Sequence, residues 1–462
     1  MNAIPIMSVG ITPYGRITPS FFLSNYSIYT INRSSDVENI EPFFNIYVLE
    51  DFFPKIAERI HGTGYLVGNH AFQNFIKTRR TLPKLQFQTI SEKAIGDLDK
   101  LGISWIGNAP ATFEEVAYKS SFRDLIKKLG LPSIVSKTVT REGFLASSFE
   151  KEWAEYGGAF VVQRGDKEVG GNEGTFFIKS SEDFERCISS LAKDEGFKKL
   201  VLTPFIEGHS TSMLGCVLPQ GTLTGPLQLQ LIDVPQSLQD VPASGIFFGN
   251  DLGFKDWGDD IEKTAQTIVE GVGKYLGGKG YRGVFGIDFL YDKARNEIYA
   301  NECNPRFTGS LLLHSLSLLE SRVPPLEFFH LLSHLGIESA FDFDTVNKEL
   351  KTRNEYSHIS FSPRGIMKMG LPLLAGIYSY DEANSNLEYV GPGISLADIK
   401  DKNQFLIIDT VPKQGKSVEQ NIPRLFKFIF PYSIAKSSHE IESRAALLVD
   451  RFAKSLIKAS QE

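Results

Sequence analysis

The sequence predicts an α/β protein of several domains, on three observations. The first hundred or so residues alternate short apolar runs with segments of helical spacing. Two β-rich runs, Ala159–Val162 and Thr175–Ile178, flank a glycine-rich loop and lead into a helix. Two further strands, Gly283–Asp292 and Ile298–Asn304, surround a polar turn and carry acids at matching positions. Length and composition agree: 462 residues, 42% hydrophobic and 23% charged, fit a globular chain of about three domains.

The same composition excludes several classes of function. A net charge of −6 and no basic run argue against a nucleic-acid partner. No stretch approaches the roughly 18 apolar residues of a membrane span. The N-terminus lacks the charged and apolar regions of a signal peptide. Cys187, Cys216 and Cys303 are scattered and odd in number, which fits neither a disulfide framework nor a zinc site. None adjoins a histidine, and a reducing cytoplasm is the expected setting.

Residues 1–112 read as a small domain with a largely parallel sheet. Its strands are Ile28–Ile31, Ile46–Leu49, Tyr65–Val67, Leu85–Ile90 and Ile103–Ile106. The Val9–Gly15 stretch is not a G-x-G-x-x-G fingerprint, so a dinucleotide fold has no support.

Residues 113–205 open with a helix from Phe113 through Tyr118, Phe122, Leu125, Ile126 and Leu129, stopped by Gly130 and Pro132. It carries Lys119 and Arg123 one turn apart. After the strand–loop–strand unit, Ser180 and Asp183 form a capping box for a helix with Phe184, Cys187, Ile188 and Leu191 on one face. A unit of this size reads as a lid.

Residues 206–340 follow the strand-turn Leu200–Ser210. They hold strands at Ser212–Val217 and Leu227–Ile232, then a helix through Ile261, Ala265, Ile268, Val272 and Leu276 that ends at Gly277-Gly278. His330 and His334 are spaced i, i+4, but leucines surround them and no third ligand is near, so they read as packed or surface histidines. Residues 341–462 form a tail unit with strands between Leu371 and Ile408. A second capping box, Ser437 to Glu440, starts a helix through Ile441, Ala445, Leu448 and Phe452.

The acid hairpin carries the chemistry. Val284, Gly286, Asp288 and Leu290 share one face of its first strand; Ile298, Ala300, Glu302 and Asn304 share one face of the second. A turn centred on Arg295 sets Asp288 opposite Glu302. Opposed carboxylates repel. The neighbours Phe285, Ile287, Phe289, Ile298 and Tyr299 argue that the pair is buried, where carboxylates need partners. With the Asn304 amide they make a hard oxygen set suited to Mg²⁺ or Mn²⁺. Arg306, two residues on, offers a fork for a phosphoryl group or an oxyanion.

Gly-Ile-Asp288-Phe-Leu followed by Glu302-Cys-Asn304-Pro-Arg306-Phe-Thr-Gly-Ser310 resembles the metal-binding strand pair of the ATP-grasp superfamily. The order helix-with-lysine, strand, glycine loop, strand-turn and acid hairpin resembles it too, over Phe113 to Ser310. The whole most resembles the pheganomycin-type peptide ligases. The resemblance implies an ATP-grasp fold with a small N-terminal α/β domain, a mobile lid and a C-terminal domain of biotin-carboxylase type. It implies ATP with Mg²⁺ or Mn²⁺ on Asp288, Glu302 and Asn304, and catalytic roles for Arg306 and Lys119, the lysine also reaching the phosphates. It places Gly170, Gly171, Asn172 and Gly174 in the lid, Thr203, Pro204 and Ile206 along the adenine edge, and Glu207 near the ribose. Gln163 departs from the family, where many members have a lysine; Arg164 or Lys167 is expected to supply the charge.

The implied reaction is ATP-dependent joining of a carboxylate to an amine through an acyl phosphate, releasing ADP and phosphate. Partners would be small-molecule or peptide carboxylates and amines, with no nucleic acid and no membrane; oligomeric state is open, a homodimer included. Two alternatives stand beside it. One is a biotin-dependent carboxylase, although Met367-Lys-Met369 is not in a recognisable carrier hairpin. The other is a non-catalytic nucleotide-binding relative, which would be free to lose the acid ligands.

Overall fold

A computed structural model describes residues 1–60, 62–166, 174–235, 245–338, 340–361, 367–368, 373–382, 386–413, 417–418 and 425–458. The N-terminal strands are β1 (Ile6–Val9), β2 (Tyr26–Thr30), β3 (Ile46–Val48), β4 (Lys84–Gln86) and β5 (Trp105–Ile106). They form one parallel sheet in the order β3-β2-β1-β4-β5, as the alternating pattern predicted. Met7, Val9, Tyr29 and Leu85 pack on one side against Leu66, Val67, Phe72 and Leu98. Tyr65–Val67 is not a strand: Thr63–Val67 is one helical turn, and a short apolar run does not distinguish the two.

The predicted helix after Phe113 is broken. Glu114–Ala117 and Lys119–Lys128 are separate helices, and Tyr118 between them is extended. The break leaves Lys119 as the first helical residue. Both the backbone N–H and the hydroxyl of Ser120 donate to the Gly165 carbonyl, which fastens this start to the neighbouring sheet. That sheet is antiparallel, in the order β6 (Lys137–Thr140), β9 (Lys199–Pro204), β7 (Phe160–Arg164), β8 (Thr175–Ile178). Phe160, Val162 and Ile178 meet Phe184, Cys187 and Leu191 of the helix Ser181–Lys193, whose N-cap is Ser180 as predicted.

The largest sheet has eleven strands. Its first part is β10 (Gly208–Leu218), β11 (Gly221–Thr224), β12 (Gln228–Ile232), β13 (Phe247–Asp251), β14 (Gly283–Asp292) and β15 (Glu297–Asn304). The order runs β15-β14-β10-β12-β13 and then continues without interruption into Ser357–Phe361, Phe426–Phe430, Gln404–Ile408, Gly376–Asp381 and Asn386–Gly391. Gly249 of β13 pairs with Ile359, so the C-terminal strands extend the sheet that carries the acid hairpin. The helix Asp259–Gly278 packs Ile261, Ala265, Ile268, Val272 and Leu276 against it. Ser437 to Glu440 is not a capping box. It links two short strands, because Glu440–Ile441 pairs back on Ala435–Ser437, and the last helix starts at Ser443.

Candidate active site

The hairpin has the predicted pairing for a different reason. Asp292 pairs with Glu297, Tyr291 with Ile298 and Leu290 with Tyr299, so the connection is the four residues between Asp292 and Glu297 rather than a turn centred on Arg295. A bulge beside Asp288 then shifts the register, and Asp288 pairs with Glu302 and Gly286 with Asn304. Extra residues of this kind re-aim side chains. Ile298 and Ala300 therefore do not share the face of Glu302 and Asn304. They lie in the core with Phe289 and Tyr291, while Asn301 and Glu302 both reach the cleft. The buried guanidinium of Arg123 holds the bulge, donating to the Ala300 carbonyl and the Asn301 side-chain oxygen.

Three groups bond the two carboxylates, and Arg306 bonds one of those three. Lys119 Nζ forms an ion pair with Glu302. Gln230 Nε2 donates to Asp288 Oδ1 at 2.8 Å and Asn304 Nδ2 to Asp288 Oδ2 at 2.9 Å. Arg306 donates to Asn304 Oδ1 at 3.0 Å. Burial, and then the charge on Glu302, raises the Asp288 carboxyl from its ordinary value to about 7, against the pull of Lys119 and Arg306. A divalent cation between the carboxylates would relieve that repulsion, and the oxygen donors are of the hard type such a cation takes. The two ends of the Asn304 amide have nearly the same shape, so either can be turned to a ligand. Among the described residues, no group of three or more His, Cys, Asp or Glu side chains is placed to hold a metal. The oxygen set at the hairpin is two carboxylates and an amide.

Gln230, Asp288, Glu302, Asn304 and Arg306 line one end of a cleft of about 740 Å³ between the four-stranded sheet and the eleven-stranded one. At its other end lie Gln163, Thr203, Pro204, Ile206 and Glu207, so the expected hinge and the acid hairpin share one cavity. Gln163 is buried and donates to Thr175 at 3.4 Å. Arg164 is a correction. Strand alternation turns it to the opposite side of β7, where it pairs with Asp194 at 2.7 Å and stacks over Phe197. Lys179 lines the cleft nearer its hinge end, with its ammonium 4.4 Å from the centre of the Phe205 ring. Gly170, Gly171, Asn172 and Lys167 lie outside the described residues. Gly174 is described, with φ +88° and its carbonyl accepting from the Arg164 N–H. A side chain there would strike Arg164.

His330 and His334 are packed residues, as read from the sequence. His330 Nδ1 accepts from the Val284 N–H, and His334 bonds the Arg282 carbonyl. Gln230 and Lys179 were missed. The alternation Gln228-Leu-Gln230-Leu was the available signal for Gln230, because an amide on the inward face of a buried strand needs a partner.

Residues 150–310 match the family model of the ATP-grasp domain. This part of the chain thus carries the likeness to an ATP-grasp domain. Over 211 residues the chain is 25% identical to the C-terminal section of the carbamoyl phosphate synthase large chain of Methanopyrus kandleri, covering 45% of this chain and 36% of that protein. The chain thus spans little more than a third of the length of that curated relative. Its fold is similar along its whole length to N5-carboxyaminoimidazole synthase from Aspergillus clavatus, solved with ADP and 5-aminoimidazole ribonucleotide, at TM-score 0.54, 12% identity and complete coverage of both chains. It is also similar to the biotin carboxylase of Campylobacter jejuni in a βγ-ATP complex, at TM-score 0.59 and 13% identity over 93% of this chain and 88% of that one. The mixed α/β architecture is therefore the ATP-grasp fold, with an N-terminal sheet domain before the matched domain and a C-terminal extension after it. Among the described residues no helix is long and apolar enough to cross a membrane.

Proposed function

We propose that the protein is an ATP-dependent ligase that joins a carboxylate to an amine through an acyl phosphate. The observation that carries this is the opposed pair Asp288 and Glu302, with Lys119 and Arg306 beside it, at one end of a cleft whose other end is the β7–β9 hinge. In this reading Thr203 to Ile206 offer backbone groups to the adenine edge, Glu207 meets the ribose, and Lys179 stands beside Phe205 at the same hinge end. Mg²⁺ held by Asp288, Glu302 and the Asn304 amide oxygen would neutralise charge developing on the transferred phosphoryl group.

The chain's own groups do the rest. Lys119 screens the acids and aligns the phosphate end of the nucleotide. A carboxylate oxygen bonds to the γ-phosphorus as the bond to the bridging oxygen breaks, leaving ADP. An amine then bonds to the acyl carbon, phosphate departs, and the amine loses a proton. Arg306 stabilises the oxyanion between these two events. Small peptides, as in the pheganomycin-type ligases, are one substrate class for this chemistry. A second reading takes bicarbonate as the carboxylate, and the full-length fold similarity to a carboxyaminoimidazole synthase favours it.

The test is product analysis with Mg-ATP, pooled amino acids and peptides, and bicarbonate. ADP and phosphate should form in equal amount with a condensed product, and hydroxylamine should trap the acyl phosphate as a hydroxamate. AMP and pyrophosphate would overturn the mechanism. ADP that forms only with bicarbonate would select the second reading.

A further inference from the structure

A second cavity of about 230 Å³ lies behind Arg306. At about 30 Å³ per water it has room for one small molecule. Arg306, Thr308 and Gly309 line both cavities, so the two adjoin at the Arg306 side chain. Its walls come from three parts of the chain: the N-terminal loop with Arg16 and Thr18, the turn into helix Leu311–Glu320, and Asp409 with Lys427 from the C-terminal strands.

Its lining is charged and held in place. Lys427 pairs with Asp409 at 2.8 Å, both side chains largely buried. Arg16 is buried and donates to the Val9 and Thr12 carbonyls. Glu327 is buried and accepts from Ser315. The helix Leu311–Glu320 begins at the cavity, and its N-cap Ser310 makes no capping hydrogen bond, its hydroxyl bonding Thr308 instead. That leaves the positive end of the helix turned to the cavity. Asp409 and Thr410 are consecutive left-handed residues, at φ 68° and 74°. Such strain persists only where neighbours enforce it, and it concentrates at binding sites. Here Asp36, from the N-terminal domain, accepts from the Asp409 and Val411 N–H groups at 2.9 and 2.7 Å.

Three cations, Arg16, Arg306 and Lys427, thus face two carboxyl groups and a helix N-terminus. We propose that this pocket receives the amine substrate, and that this substrate carries an anionic group of its own, held by Lys427 and Arg16 at the start of helix Leu311–Glu320. The inference rests on the ligase reading for the word amine; the anionic anchor rests on the lining alone. Asp409 is the carboxylate at hand for the ammonium end.

The test is thermal protection of the full chain by four probes: glycine and 2-aminoethyl phosphate as anionic amines, methylamine and acetate as halves. At least one anionic amine should raise Tm where the halves do not, and which one does so separates carboxylate from phosphate. Lys427→Gln should weaken that protection about tenfold or more, and Lys427→Arg, which keeps the charge, should largely retain it. Equal protection by methylamine, no protection by either anionic amine, or full protection in Lys427→Gln would overturn the assignment. ATP turnover is read alongside. Anionic amines that bind without any turnover would overturn the ligase reading and leave the pocket. Condensation whose amine KM ignores Lys427→Gln would do the reverse.

Discussion

Asp288 sits opposite Glu302 on paired strands, and the carboxylate of Glu302 is held by Lys119, which lies 183 positions earlier in the chain. The pairing of β14 with β15 sets the two acids side by side, and the break at Tyr118 sets the lysine within reach of them. Removing either acid should remove the chemistry and spare the fold. Asp288→Asn and Glu302→Gln should each lower ATP turnover by about a hundredfold or more, with Tm in the absence of nucleotide little changed or raised. Near-normal turnover in either variant would exclude the acid pair from the reaction.

Gln230 donates to Asp288 from β12 and lines the same cleft. Groups that orient a metal ligand typically change affinity or activity about 10–100-fold when lost. Gln230→Leu should therefore raise the Mg²⁺ concentration for half-maximal turnover by that factor. Gln230→Glu should be worse, because it places a third carboxyl beside a pair that already repels. An unchanged Mg²⁺ requirement in both variants would show that Asp288 is oriented without it.

Much of this arrangement was legible in the sequence, and the failures have physical causes. The parallel N-terminal sheet, the helix Asp259–Gly278 and the hairpin of β14 with β15 follow from periodicities of two and 3.6. The bulge at Asn301 does not, because it depends on Arg123, a residue far away in sequence that becomes a neighbour only on folding. The side to which Arg164 turns was decidable from alternation, since Gln163 and Arg164 are adjacent on one strand and cannot both face the cleft. The continuity of the acid-bearing sheet into the C-terminal strands was not decidable, because edge pairing between Phe247–Asp251 and Ser357–Phe361 leaves no local signature.

Glu327 gives a pH-dependent stability. Burial raises its carboxyl from the ordinary value to about 7, with the Ser315 hydroxyl opposing the shift. Between its unfolded value and about 7 the folded protein binds the extra proton, so stability falls as pH rises through that window. The penalty is complete above about pH 7 and absent below the unfolded value. Glu327→Gln keeps the shape and the hydrogen bond to Ser315 without the charge. It should stabilise the protein at pH 8 by on the order of 3 kcal/mol, with the gap closing as pH falls toward about 4.5. A gap that does not depend on pH would mean that Glu327 does not titrate in this range.

Lys179 and Arg164 lie on opposite sides of the sheet that covers the nucleotide end of the cleft, and the difference can be measured. Lys179 follows the end of β8 that lies away from the β7–β8 loop, beside Phe205 at the hinge end of the cavity. A lysine held there is a cation lining the nucleotide end of the cleft. Lys179→Ala should raise the KM for ATP about tenfold or more while changing Tm little, because Lys179 is an exposed residue. Arg164 instead ties β7 to Asp194 at the end of helix Ser181–Lys193. Arg164→Ala should cost about 1 kcal/mol or less of stability and leave the KM for ATP within about twofold. If the two variants exchange these outcomes, Arg164 must turn toward the nucleotide when ATP binds. That would require it to leave Asp194 and pass the position of Gly174, whose missing side chain is what gives Arg164 its present place. Gly174→Ala separates the two cases. It should disturb the resting position of Arg164 and lower stability, and it should not lower the KM for ATP unless Arg164 moves.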